Sequence, residues 1–152
     1  MALCHLEAFQ ALIDFLMSNK QDYFFQTAEE LIAFLKNESE CSLQAELCAL
    51  IGLNEQKIFC YRQMQNRSKE PNLYFLVDPY DYLSFINKYE MFGIFHSHLV
   101  GDENPSEFDI KTSNNSCYFF LIYSIITEKF SIYEPHHKDY DVNIMQRIKE
   151  VL

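Results

Sequence analysis

His96, Ser97 and His98 are followed after seven residues by Ser106 and after two more by Asp109, and these residue types at this spacing can hold a metal ion. On a strand, successive side chains alternate sides, so His96 and His98 point to the same face and can grip one cation. Asp109, returning from beyond a short connection, supplies a carboxylate oxygen. Two imidazoles and one carboxylate leave a fourth tetrahedral position for water, which is the arrangement of a catalytic zinc. A structural zinc needs a fourth protein ligand close by, and none is spaced for it. His136 and His137 follow Pro135 in a loop-like stretch and read as exposed. A local reading of the same residues makes Ser106 a helix N-cap and Asp109 the acidic partner in a Ser-x-x-Asp capping pattern. The two readings are compatible, because a helix that starts at Ser106 is what turns Asp109 toward the histidines.

Positioning these groups takes a strand over 91–98, a turn-rich loop over 100–105 and a helix from Ser106. Glu46 opens a nearly continuous apolar run over 46–52, which suits a central strand buried on both faces. Further strands are expected at 22–26, 57–63 and 73–77, and a hairpin joins 118–126 to 129–133 around Thr127 and Glu128. Leu6, Phe9, Ile13 and Leu16 recur at helical spacing, so residues 3–18 form an amphipathic helix. Thr27 and Glu30 fit a capping box for a helix reaching about Glu40. Asp78-Pro79 starts a short helix containing Tyr82, Leu83 and Ile86, and Asp141 caps a last one containing Ile148. Strands alternate with helices, so the fold class is mixed α/β, an α+β mixed sheet flanked by helices.

With 152 residues and 49% hydrophobic content, the chain suits one domain over 1–152 with a single core. A net charge of −10, with the 12 basic residues scattered, disfavours nucleic acid and acidic membranes as partners. The apolar runs stop short of a membrane span. Glu7 and Asp14 interrupt the N-terminal segment, which does not read as a signal peptide, and a cytoplasmic location is expected. The five cysteines, Cys4, Cys41, Cys48, Cys60 and Cys117, form no C-x-x-C pair and read as reduced thiols, mostly in the core. Cys48 or Cys117 lying near the metal is the less favoured reading.

Glu46 together with His-x-His, seven residues, Ser, two residues and Asp resembles the signature of the JAMM (MPN+) zinc metalloproteases. The segment Glu-Leu-Cys-Ala-Leu-Ile-Gly from Glu46 is similar to that family's Glu-x-Cys-Gly-x-Leu-x-Gly, with Ala49 at the first glycine. Leu99 stands where proline usually follows the second histidine, and neither departure removes a ligand. The similarity covers about residues 22–133, leaving the helix at 3–18 as an addition.

The resemblance implies a JAMM/cytidine-deaminase-like architecture and one Zn2+ per chain, held by His96, His98 and Asp109. It further implies Glu46 as general base and Ser106 as donor to the oxyanion. Glu38 and Glu40 are poorer candidates for the base, since they lie on a helix. The implied substrate is a ubiquitin-like or sulfur-carrier protein, cut after its C-terminal glycine tail by peptidase or isopeptidase action. Only eight residues separate Asp109 from the strand at 118, which leaves no room for the long ubiquitin-holding insertion of some eukaryotic relatives. A small prokaryotic or phage type is therefore expected. A phage tail assembly protease of the same family and a non-catalytic MPN-type scaffold are the alternatives, and oligomeric state stays open.

Overall fold

The structure, a computed structural model, describes residues 20–152, so the helix expected at 3–18 lies outside the described residues. Six strands form one mixed sheet: β1 (Asp22–Phe25), β2 (Cys48–Leu53), β3 (Phe59–Met64), β4 (Glu90–His98), β5 (Phe119–Ser124) and β6 (Lys129–Tyr133). Their spatial order is β1-β3-β2-β4-β5-β6. Neighbours pair antiparallel except β4 and β5, which run parallel. A parallel pair needs a crossover, and here the crossover carries a helix. Among the described residues, four helices flank the sheet: α1 (Ala28–Glu40), α2 (Pro79–Ile86), α3 (Glu107–Ser116) and α4 (Val142–Lys149).

The inner strands β2 and β5 are buried along their whole length, as expected of apolar runs covered on both faces. On one face Ala49, Ile51, Phe95, Leu121 and Tyr123 pack with Leu31 and Leu35 of α1 and Ile144 and Ile148 of α4. On the other, Cys48, Leu50, Ile94, Phe120 and Ile122 pack with Phe75 and with Phe85 of α2. Burial of one such large side chain contributes about 1.5–3 kcal/mol. Alternation along β4 sends Ile94, His96 and His98 to this second face. Between Ile51 and Gly52 the β2–β4 register shifts, so that Ile51 faces Gly93 and Gly52 faces Met91, with Phe92 as the extra residue. The strands approach closely there: a Cβ on Gly52 would lie 2.7 Å from the Glu90 carbonyl oxygen.

The helix starts follow their caps. Thr27 accepts from the Glu30 N–H while the Glu30 carboxylate takes the Thr27 N–H, closing the capping box of α1. Asp78 accepts from the N–H groups of Tyr80 and Asp81, with Pro79 in the first turn of α2. At the sheet edge the buried Arg62 of β3 grips Asp22 of β1 through Nε (2.5 Å) and Nη2 (2.8 Å) and donates Nη1–H to Ser84 of α2 (2.9 Å). Among the described residues, no helix is long and apolar enough to cross a membrane.

One expected strand is absent. Residues 73–77 pair with no neighbour and follow a turn at 71–73. Their backbone is engaged elsewhere: Leu73 and Tyr74 donate N–H to the Glu70 carbonyl, and the Tyr74 carbonyl and Leu76 N–H bind the Asn66 side chain. A run with strand-like composition therefore becomes a loop, because its ladder groups already have partners.

Candidate metal centre

The last residues of β4 carry His96 and His98, and their Nε2 atoms stand 3.2 Å apart. Asp109, in the first turn of α3, brings Oδ1 to 3.1 Å from His96 Nε2 and Oδ2 to 3.3 Å from His98 Nε2. All three residues are buried and, among the described residues, form the group of potential ligands whose donor atoms lie within 4.8 Å of one another. A tetrahedral ion with ligands at about 2.0–2.1 Å separates its ligand atoms by about 3.3 Å, which matches the spacing of the two imidazole nitrogens and of each nitrogen from its nearer Asp109 oxygen. The electrostatics agree. Two imidazole nitrogens turned toward each other and toward one carboxylate repel unless a proton or a cation lies between them. His96, His98 and Asp109 thus form a group that could hold a metal ion such as zinc.

The two rings are held differently. His98 Nδ1 lies 2.7 Å from the Asp102 carbonyl, which can only accept, so Nδ1 carries a proton and Nε2 is the atom turned toward His96 and Asp109. His96 Nδ1 is buried without a partner, and its ring is held by Phe75, stacked at 4.5 Å and 30°. Burial keeps His96 below the usual histidine range and therefore neutral. For His98 burial acts in the same direction, but hydrogen bonds to Asp109 and the Asp102 carbonyl outweigh it and raise the value.

Ser106 caps α3. Its Oγ accepts from the Asp109 N–H (3.1 Å) and donates to Asp109 Oδ2 (2.7 Å), which also accepts the Ser106 N–H (2.8 Å). The capping pattern is present, and its Asp109 also belongs to the group that could hold a metal ion. Burial alone would raise the Asp109 pKa, yet the hydrogen bonds from His96, His98 and Ser106 hold it well below the carboxylate range. A hydroxyl has one proton. In this arrangement that of Ser106 is directed at Asp109, which makes the serine a support of the ligand.

Glu46 stands just before β2. Cys48 pairs with His96, and continuing that antiparallel register by two residues sets Glu46 opposite His98 on the same face. The continuation is real but irregular: Ser97 donates N–H to the Leu47 carbonyl, while the Leu47 N–H goes to Ser97 Oγ, each at 2.9 Å. Burial pushes the Glu46 carboxyl up to about 7, with His98 pulling it down and the Asp109 charge adding to the rise.

The loop at 99–105 is fixed by the β5–β6 hairpin. Ser124 Oγ donates to the Gly101 carbonyl (2.8 Å), Thr127 Oγ1 to the Glu103 carboxylate (2.6 Å) and Ser131 Oγ to the Glu103 carbonyl. These contacts place the Asp102 carbonyl under His98. Sequence reading did not single out Asp102, Phe75 or Ser97. A backbone carbonyl and a stacking ring carry no motif, whereas the position of Ser97 between two ligands was a usable signal.

The remaining candidates do not join the group formed by His96, His98 and Asp109. Cys48 shares the His96 face, but burial pushes its thiol up to about 12 and its Sγ donates to the Met64 carbonyl at 3.8 Å. Cys117 ends α3 in the left-handed region, φ 62°. His136 and His137 are exposed. Glu40 binds the Tyr123 hydroxyl and, with Glu38, belongs to α1 on the opposite side of the sheet.

No protein-family model matches this sequence, and no curated protein matches it. A similar solved structure is the solution structure of protein DSY2949 from Desulfitobacterium hafniense, 20% identical, with a TM-score of 0.54 over 76% of this chain and 94% of that one. At that identity the likeness concerns the fold alone.

Proposed function

We propose that this chain is a zinc-dependent peptidase or isopeptidase of the JAMM type, cutting after the C-terminal glycine tail of a ubiquitin-like or sulfur-carrier protein. The observation that carries the reading is the convergence of His96, His98 and Asp109, with nitrogen and oxygen atoms 3.1–3.3 Å apart, and a buried Glu46 two residues before Cys48, the partner of His96. His96 Nε2, His98 Nε2 and the Asp109 carboxylate hold the ion. Zinc, when bound, supplies Lewis acidity that acidifies water and polarises an amide carbonyl.

Glu46 is the general base. Its carboxyl, raised by burial to about 7, can take a proton from the attacking water near neutral pH and later return it to the leaving amine. Ser106 supports Asp109 at rest, and as oxyanion donor its hydroxyl must turn away from Oδ2. Residues 65–78 form one wall of the approach: Phe75 covers His96, and the half-exposed Tyr74 stands edge-on to Phe108 at 5.7 Å. An aromatic wall beside the ligands favours an extended tail without side chains. The acidic net charge suits a partner surface that is neutral or basic.

The test offers zinc-loaded protein two matched ubiquitin-like fusions, ending in Gly-Gly or in Gly-Val before the scissile bond. Cleavage confined to the first is expected. Equal rates, or cleavage of neither, overturn the glycine-tail reading, and failure of the wild type to take up zinc overturns the enzyme reading with it.

A further inference from the structure

We propose that Asn66 is the positioning residue for Glu46, its side-chain amide joining the backbone of the base to the loop that stacks on His96. The inference rests on the hydrolase reading for the role of Glu46, and on hydrogen bonding for everything else. Asn66 Nδ2 lies 2.9 Å from the Tyr74 carbonyl, 3.2 Å from that of Glu46 and 3.3 Å from that of Pro71. Its two protons are therefore shared among three acceptors, a bifurcated arrangement. Asn66 Oδ1 accepts the N–H groups of Ser68 (3.0 Å) and Leu76 (3.2 Å).

Two consequences converge on the metal centre. Glu46 is held at both backbone groups, since its N–H donates to the same Pro71 carbonyl (2.6 Å) and its carbonyl accepts from Asn66. Phe75 sits between Tyr74 and Leu76, the two residues that Asn66 grips, and its ring is the one stacked on His96. One amide thus sets where the base emerges and where the ring over a ligand lies. On the following residue, Ser97 secures the Leu47 N–H. Aspartate at this position would set oxygen against three carbonyl oxygens, and alanine would leave all five contacts unmade.

The experiment compares zinc-loaded wild type with Asn66→Asp and Asn66→Ala by amide hydrogen exchange, zinc content and cleavage of the Gly-Gly fusion. In Asn66→Ala the Leu76 amide, which loses its acceptor, should exchange roughly tenfold faster. In both variants so should the Glu46 amide, whose Pro71 acceptor and own carbonyl lose the Asn66 amide. The Leu76 amide keeps an acceptor oxygen in Asn66→Asp, and those of Cys48–Leu53 stay unchanged. Zinc content should stay at the wild-type level. Turnover should fall about 10²-fold with KM little altered, the effect of a small misplacement of a reacting group. In a Glu46→Gln background the same substitutions should cost no further rate. Unchanged exchange at Glu46, or full additivity with Glu46→Gln, overturns the proposal. Should Asn66→Asp not fold, Asn66→Ala carries the same readouts. A wild type that cleaves no fusion defeats the functional reading, while the exchange data still decide whether Asn66 holds Glu46.

Discussion

Leu47 and Ser97 extend the β2–β4 ladder one step beyond the Cys48–His96 pair, the Ser97 N–H donating to the Leu47 carbonyl and the Ser97 hydroxyl accepting the Leu47 N–H. This leaves the buried Glu46 just before the strand, beside His98. A buried carboxylate is thereby placed beside the group formed by His96, His98 and Asp109 without being part of it.

Glu46→Gln should retain zinc and fold and lose turnover, because the amide is nearly isosteric but accepts no proton from water. Elemental analysis and thermal melting check the first two, and cleavage of a glycine-tailed fusion the third. Loss of zinc in the variant would instead make Glu46 a ligand.

Ser106→Ala should weaken zinc binding as well as rate. The serine gives Asp109 two hydrogen bonds in this structure, of which the hydroxyl's is removed. Loss of such a support for a ligand costs on the order of 10- to 100-fold in metal affinity, and loss of the cap about 1 kcal/mol in stability. Competition with a zinc chelator measures the first. An unchanged affinity would leave Ser106 with the oxyanion role alone.

Ser97→Ala should destabilise the metal-free protein by about 1–3 kcal/mol, because the buried Leu47 N–H loses its acceptor at the end of a central strand. Urea titration of wild type and variant checks this. A difference within about 0.5 kcal/mol would mean that the rung re-forms through the backbone.

Acid should loosen the β1 edge. Burial would raise the Asp22 pKa, but Arg62 and Tyr89 outweigh it and hold the carboxyl below its ordinary 3.8. A depressed folded-state value adds stability that is present above the ordinary value and lost as pH falls through the folded one. Urea midpoints of metal-free protein should therefore drop below about pH 4, and Asp22→Asn should start lower and show less of that drop. Parallel pH profiles for the two proteins would remove Asp22 from the acid transition.

Local rules carried much of the fold. The capping boxes at Thr27 and Ser106 and the Asp78-Pro79 start each mark the helix that the structure contains, because an N-cap is decided within four residues. The apolar run from Cys48 and the strand ending at His98 were legible for the same reason, a side-chain period that depends on backbone geometry alone. The run at 73–77 misled because its composition is that of a strand, while the contacts that turn it into a loop come from Asn66, up to ten residues earlier.

By itself the sequence determined the donor types and their local presentation: His96 and His98 share a face because they are two apart on a strand, and Asp109 faces inward because Ser106 starts its helix. Only the tertiary structure decided which groups meet. Glu46 comes to the His98 end of β4 because β2 lies beside β4 in the sheet, and the Leu47–Ser97 rung spans 50 residues of chain. Phe75 covers His96, and the Asp102 carbonyl fixes the His98 tautomer, through loops anchored by Asn66 and by the β5–β6 hairpin. Strand order and loop closure join distant segments by burying shared apolar surface, and no spacing within a short motif encodes that choice.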